Sequence, residues 1–356
     1  MSDHLNKIRK QIDRIDDAIL AQLLKRAGLA KKIWQVKSEI GEGVYSSTRE
    51  REILDRLLSK KVAPLSAEDI ESIFQEIINA SRNVQKRLRV SFFGPESTFT
   101  HQAARKHFGK GAEMIPQKSI SDVFPDVEKS RADYGVVPIE NSTEGVVNHT
   151  LDMFMNSDLM ICAEREEPIS HHLLSPSGSI GKIKRVYSHP QALAQCRNWL
   201  QSHLPKVEIC ESASTADAAL QASLDASAAA IASPLAAKLH HLRTVAAGIE
   251  DFRENFTRFL IIGKHSPGSS GKDKTSILLG IKDRVGALND ILEIFKKNTM
   301  NLTKIESRPT KRKAWEYLFF VDFIGHMSDL PIKRALEELK KSCLTLKILG
   351  SYPKTD

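Results

Sequence analysis

Nowhere in its 356 residues does the chain carry 18 consecutive apolar residues, so no membrane-spanning helix is expected. The stretch Met1–Lys10 is polar and charged and holds no apolar segment of a secretory signal, which points to the cytoplasm. Cysteine is scarce: Cys162, Cys196, Cys210 and Cys343 are scattered, with no CxxC pair. That spacing speaks against a zinc site and a disulfide framework, and it fits a reducing compartment. The formal net charge is +8, yet there is no dense Lys/Arg stripe with interleaved aromatics, so a nucleic-acid partner is not expected. Acidic and basic residues are interleaved, as on solvated helix faces. Fixed cations also raise the local concentration of small anionic ligands. Internal repeats and low-complexity tracts are missing as well.

What remains is an ordered globular composition, 41% hydrophobic and 27% charged, in a length that suggests two or three domains. Residues 5–40 predict one long helix. Ile8, Ile12, Ile15, Ile19 and Leu23 recur at helical spacing without a proline, up to Gly41 and Gly43. Arg49–Ser59 predicts a second helix. Pro64 and Ser66 precede a third over about 67–87, with Ser66 as N-cap and Asp69 nearby. A helix of about 35 residues runs roughly 50 Å. Three such helices cannot bury their faces alone, which predicts an intertwined helical dimer for residues 1–88.

From residue 89 the pattern changes. Val90–Gly94 reads as a buried strand and turn, Gly135–Pro138 and Val186–Ser188 as strand ends, and Ala216–Ser223 as a helix. This alternation predicts an α/β domain over 89–266. Ser266–Lys274 is Gly/Ser-rich and reads as a linker. Residues 275–352 then predict strand Thr275–Lys282, helix Ala287–Lys297, strands Leu302–Ser307 and Trp315–Phe323, helix Ile332–Lys341 and strand Leu344–Leu349. That order, βαββαβ, is the ferredoxin-like unit of an α+β domain.

In the first segment Arg26 and Lys37 lie 11 residues apart and share a helix face. Ser81 and Gln85 stand at i, i+4, and Arg49-Glu50 opens the second helix. By spacing alone these are ordinary solvated helix charges. With Arg9, however, the set Arg9, Arg26, Lys37, Arg49, Glu50, Ser81 and Gln85 resembles the helical, intertwined-dimer chorismate mutase family in order and interval. The resemblance covers about residues 5–87 and departs at Ser46, where some members carry an acidic residue. It implies arginines for the two substrate carboxylates. Arg26 and Arg9 take these, with Arg9 donated by the other subunit. Lys37 and Gln85 would donate to the ether oxygen, Glu50 would accept from the ring hydroxyl, and Ser81 and Arg49 would support a carboxylate. The pericyclic rearrangement needs only a compact conformer and stabilised charge on the breaking ether.

Four central runs are unusual: Gly94-Pro-Glu-Ser-Thr98-Phe-Thr-His101, Val137-Pro-Ile-Glu140-Asn-Ser-Thr-Glu-Gly145, Ser188-His-Pro-Gln-Ala-Leu-Ala-Gln195-Cys and Asn255-Phe-Thr257-Arg-Phe259. Taken singly, their hydroxyls are helix caps or strand residues. Together they resemble the prephenate dehydratase family, with Ser97 replacing a common glycine. The resemblance implies a two-lobed, periplasmic-binding-protein-like fold with substrate in the cleft. Thr257 would assist the departing hydroxide and Arg258 would set the local field or grip a carboxylate. Thr98, Asn141, Ser142, Ser188 and Gln195 would contact carboxylates and carbonyl, and Glu140 would bind substrate or orient neighbours. His189 is a further candidate acid.

Gly286-Ala287-Leu288 opens a helix, and Glu306-Ser307-Arg308-Pro309 ends a strand. A glycine at a strand-to-helix turn is unremarkable in itself. Both runs resemble the phenylalanine-binding ACT domain, which implies an amino-acid ligand at a subunit interface and feedback inhibition by L-phenylalanine. The three resemblances imply consecutive steps, chorismate to prephenate to phenylpyruvate, without metal or organic cofactor, in a homodimer or higher homo-oligomer. A sensor protein without catalysis requires the first constellation to be accidental. Preference for arogenate over prephenate stays open.

Overall fold

The computed structural model describes residues 2–40, 43–252, 254–281, 284–309 and 317–355. Gly41 and Trp315, placed above at a helix end and a strand start, lie outside them. The chain divides into two units, Met1–Leu88 with Phe108–Glu113, and Arg89–His107 with Met114–Asp356.

The first unit holds helices α1 (Ser2–Glu39), α2 (Ser47–Leu58) and α3 (Ala67–Gln85). Ser46 caps α2 by accepting from the Arg49 N–H, and Ser66 forms a capping box with Asp69 that starts α3. At about 57 Å, α1 outruns its neighbours. Leu5, Ile8, Ile12, Ile15 and Ile19 are all exposed, although their spacing is that of a buried stripe.

The second unit opens with β1 (Arg89–Phe93), α4 (Phe99–Phe108), β2 (Glu113–Gln117), α5 (Ile120–Glu128), β3 (Tyr134–Asn141), β4 (Gly145–Val146), α6 (Asn148–Asn156) and β5 (Met160–Pro168). A second lobe follows: β6 (His172–Ser175), β7 (Arg185–Ser188), α7 (Pro190–Gln195), α8 (Arg197–His203), β8 (Glu208–Glu211), α9 (Thr215–Ser223), β9 (Ala228–Ala232), α10 (Pro234–Leu239) and β10 (Arg243–Ala246). The chain then returns through β11 (Phe256–Gly263) to the first lobe. The two sheets run β2-β1-β3-β11-β5, with β4 on β3, and β10-β6-β9-β7-β8. Helix-favouring alanines fill β9, whose five residues are all buried. Small side chains there let the alanine face of α9 pack close, so tertiary burial overrides local propensity.

The last domain, β12 (Asp273–Gly280), α11 (Ala287–Lys297), β13 (Leu302–Pro309), β14 (Tyr317–Ile324), α12 (Leu330–Ser342) and β15 (Thr345–Pro353), has strand order β13-β14-β12-β15. This is the ferredoxin-like arrangement expected. Ile277, Leu279, Val321 and Phe323 face α11 and α12. Leu278, Phe320, Leu349 and Tyr352 join Phe124, Phe154 and Ile161 of the first lobe in one core. Each fully buried large side chain is worth about 1.5–3 kcal/mol, so the two domains are docked rather than tethered. Gly350 marks the closest approach: a Cβ there would sit 2.3 Å from the Ile161 carbonyl oxygen. The expected linker, Ser266–Lys274, is correspondingly ordered. The Asp273 carboxylate accepts from the Ser269 and Ser270 hydroxyls and from the Ser270 and Gly271 N–H groups, and Lys274 is buried against Glu164.

Candidate active sites

In the helical unit a cavity of about 310 Å³ opens between α1, α2 and α3. Arg26, Lys37, Arg49, Glu50, Ser81 and Gln85 all line it, with Ser46 at its edge. Arg9 does not. It lies 17 residues from Arg26 along α1, about 26 Å away. Arg26 donates to the Ser81 hydroxyl and to the Ile77 carbonyl (3.3 Å). Burial, reinforced by Arg49, lowers the pKa of its guanidinium. Glu50 is gripped by Arg82 (3.0 Å); burial pushes its carboxyl up, against the pull of Arg82. Arg82 was missed from the sequence because it neighbours Ser81 and reads as a surface cation, yet it is buried. Gln85 is held by the Ser81 carbonyl (3.3 Å) and Lys37 reaches the Gly43 carbonyl (3.3 Å).

A second cavity, of about 430 Å³, lies in the cleft between the two lobes. Thr98, Asn141, Gln195, Thr257 and His189 line it. β3 and β11 pair with Asn141 opposite Thr257. The Asn141 amide is oriented by its surroundings. Its Oδ1 accepts from the Thr143 and Glu144 N–H groups (both 3.0 Å), so its Nδ2 faces the Thr257 hydroxyl (2.8 Å) and the Asn255 Oδ1 (2.6 Å). Thr257 is therefore an acceptor on that side, and its own proton is left for the cavity. Two further residues join this set. The Asn255 Nδ2 donates to Gln195 Oε1 (3.4 Å), which also meets His171 Nε2 (2.8 Å). Burial lowers the pKa of His171, and because an amide oxygen only accepts, Nε2 is the donor to Gln195. A lone histidine and an asparagine carry no sequence signal of this chain. Among the described residues lining the cavity there is no lysine or arginine. Two helix starts line it instead, Thr98 and Phe99 at α4 and Ser214 and Thr215 at α9, where a helix carries partial positive charge, and Glu144 brings a carboxylate to the same wall.

The loop that carries Thr98 is pinned by His101, whose Nδ1 accepts from the Ser97 N–H (3.0 Å) and whose ring stacks on Phe92 at 4.7 Å. Protonating Nδ1 would set two donors against each other. Burial, with Arg105 near, pushes the pKa of this histidine down to about 4 from 6.5. The unfolded chain takes up a proton in that window that the folded chain refuses. Stability is accordingly expected to fall as pH drops from about 6.5 toward about 4. A thermal-midpoint series against pH checks this, and His101→Asn should give a shallower acid slope.

The remaining expected residues lie elsewhere. Ser188 is buried and donates to the Ile231 carbonyl (2.7 Å), while Ser142 bonds the Glu254 carbonyl (3.1 Å). Glu140 and Arg258 do not line the cleft. Successive strand residues point to opposite faces, and these two meet behind it (3.1 Å), among Glu164, Asp322 and Tyr352. Burial opposes ionisation of Glu140, but Lys304 and Arg258 outweigh it and hold the carboxyl below its usual range.

In the last domain Gly286 adopts the left-handed conformation (φ 81°) and opens α11, followed by Ala287 and Leu288. Gly280 and Arg308 both pair with Leu318, from opposite sides. The end of β12, from which the Gly286 loop departs, therefore shares one end of the sheet with Glu306, Ser307 and Arg308 on β13. Ser307 is exposed on this edge strand, whereas Arg308 turns inward to Asp152 of the first lobe (2.9 Å).

Three family models match the chain: chorismate mutase type II over residues 8–86, prephenate dehydratase over 90–267 and the ACT domain over 275–341. A bifunctional chorismate mutase/prephenate dehydratase from Aquifex aeolicus is 50% identical over 356 residues, covering 99% of this chain and 98% of that protein. The crystal structure of a prephenate dehydratase in complex with L-Phe from Arthrobacter aurescens matches with a TM-score of 0.69 at 35% identity, over 75% of this chain and 90% of that one. GqqA, described as a novel type of quorum quenching acylase, matches with a TM-score of 0.68 at 27% identity, over 75% and 98%. The fold alone therefore does not choose the reaction; the three family models and the full-length relative do. The chain belongs to the family of bifunctional chorismate mutase/prephenate dehydratases.

Proposed function

We propose that each of the two cavities runs one of the two reactions with the residues named for it, and that the ferredoxin-like domain senses L-phenylalanine. The convergence of Arg26, Lys37, Arg49, Glu50, Ser81 and Gln85 on one cavity carries the first part. Arg26 and Arg49 face the anion, Lys37 and Gln85 meet the ether oxygen as charge builds on it, and Glu50, braced by Arg82, accepts from the ring hydroxyl. Arg9 completes the site from a second copy, because its own helix carries it too far from Arg26. The exposed stripe Ile8, Ile12, Ile15 and Ile19 is the face that this copy covers.

Subunit complementation tests the arrangement. Arg9→Ala and Lys37→Ala homo-oligomers are each expected to be inactive as mutases. A mixed dimer has one site with neither lesion, so unfolding and refolding an equal mixture should restore about a quarter of wild-type turnover. No recovery would mean that Arg9 serves its own chain or none.

In the cleft, Thr257 donates to the departing hydroxyl of prephenate. Asn141 and Gln195 contact the substrate's polar groups, and the starts of α4 and α9 attract its carboxylates. Phenylalanine binds where Gly286-Ala287-Leu288 and Glu306-Ser307-Arg308 share a sheet end, with a second copy of the exposed β13 edge beside it. The ligand of the Arthrobacter aurescens protein supports this reading. The enzyme acts in the cytoplasm, consistent with four cysteines that form no disulfide and with no described helix apolar and long enough to cross a membrane. Calorimetry with L-phenylalanine, paired with a phenylpyruvate assay, tests the sensor; absence of heat and of inhibition refutes it.

A further inference from the structure

Behind the cleft, the first lobe and the ferredoxin-like domain share a buried cluster of charges. The lobe supplies Glu140, Glu164 and Arg258, a net of −1. The opposing sheet supplies Asp322, Lys274 and Lys304, a net of +1. Arg258 lies at the centre. Its Nε donates to Glu164 (2.8 Å), its Nη1 meets Asp322 (2.7 Å) and Glu140 (3.1 Å), and its Nη2 donates to the Tyr352 hydroxyl (3.0 Å). Lys274 closes on Glu164 (2.7 Å) and Lys304 on Glu140. The Arg258 side chain is 7% exposed and that of Glu164 0%. Low exposure makes an unpaired member of the Arg258, Glu164, Asp322 and Lys274 core of this cluster costly, with Glu140 at its more open edge (32% exposed).

Register ties this cluster to the cleft. Thr257 pairs with Asn141 and Arg258 with Glu140, so two consecutive rungs of one ladder hold the cleft pair and the ion pair on opposite faces. The register slips immediately after Arg258, where Phe259 pairs with Pro138 and Ile139 is skipped. The bulge parts the two terminal rungs from the rest of the β3–β11 ladder, while β11 stays paired with β5 from Phe256 to Ile261.

We propose that Arg258 is a positioning residue for the dehydratase reaction, held by Asp322 and Tyr352, and that through this grip the ferredoxin-like domain sets the Thr257–Asn141 geometry. A shift of β14 pulls Arg258 through Asp322, and the paired β13 pulls Glu140 through Lys304; the backbone carries the displacement one residue along each strand to Thr257 and Asn141. Inhibition then needs no change in the cleft other than a misplaced hydroxyl. The proposal rests on reading the cleft as the dehydratase site and the last domain as the phenylalanine sensor.

The test uses the full chain with Asp322→Asn, an isosteric change that removes one charge from Arg258. Phenylalanine binding is measured first, by calorimetry on both proteins, so that the sensor reading is judged separately. The expected result is a kcat for prephenate lowered at least about tenfold, KM within about twofold, unaltered mutase turnover, and phenylalanine bound as in wild type but inhibiting at least about fivefold less steeply. Asp322→Glu should recover part of the loss. A folded Asp322→Asn protein with wild-type kcat and inhibition overturns the proposal. So does a loss of kcat matched by the loss of folded protein with inhibition intact, since a purely structural role gives that outcome. If wild type binds no phenylalanine, the sensor reading fails, and the kcat change at constant KM alone decides the positioning role. Should Asp322→Asn not fold, Lys304→Met removes the cross-domain grip on Glu140 and is read in the same way.

Discussion

Lys37→Ala is expected to slow chorismate consumption by a hundred- to a thousandfold, about 3–4 kcal/mol of lost transition-state stabilisation. The rearrangement makes no ion that an acid or base must supply. Its barrier is lowered by holding the compact conformer and by meeting the partial charge on the ether oxygen. Lys37 sits in the last turn of α1 and lines the cavity beside Gln85. An ammonium there contributes little to the extended ground state and most when the C–O bond is stretched, so the loss should fall on kcat more than on KM. Following the ultraviolet loss of chorismate with the purified variant checks this. A drop below about tenfold contradicts the role of Lys37. Dehydratase turnover on added prephenate should be unchanged and serves as the control for folding.

Thr257→Ala is expected to have the complementary effect: phenylpyruvate formation down about a hundred- to ten-thousandfold, with chorismate consumption intact. Aromatisation drives the second reaction, and the difficulty is the poor leaving group. A threonine hydroxyl is too weak an acid to protonate it unaided, but here it accepts a hydrogen bond from Asn141 (2.8 Å), which leaves its proton available to a ligand in the cavity it lines. Thr257→Ser keeps that donor and should retain activity within about tenfold of wild type. Equal loss in both variants would show that the methyl group, through packing, matters rather than the hydroxyl. A fall in both enzymatic activities of Thr257→Ala would indicate misfolding.

The first site was legible through the family resemblance; helical spacing by itself only grouped its residues in pairs. Arg26 and Lys37, and Ser81 and Gln85, fall on shared faces, and a helix carries shared faces directly into a common cavity. The Ser66–Asp69 cap was equally local. The second site was legible only where motif runs carried it. Thr257, Asn141, Gln195 and Thr98 converge, whereas Ser188 is used up by a backbone carbonyl. The resemblance implies for Arg258 either a local field or a grip on a carboxylate; strand alternation turns it away from the Thr257 face, so it does not line the cleft where a carboxylate would be gripped. His171 and Asn255 act through partners distant in sequence, Gln195 and Asn141, and pairings of that range leave no local periodicity. The stretch Ser266–Lys274 has the composition of a free linker. Its order comes from Asp273 collecting four hydrogen bonds and from Lys274 finding Glu164, neither of which composition reveals.

The contrast between a pocket lined with guanidinium and ammonium groups and a cleft walled by amides, hydroxyls and helix starts separates the two steps by the reach of their forces. Full charges draw a dianion over roughly a nanometre and are muted by dissolved ions. Peptide dipoles act only across a bond or two. Capture of chorismate should therefore weaken in concentrated salt, whereas prephenate, recognised at contact, should hardly register the change.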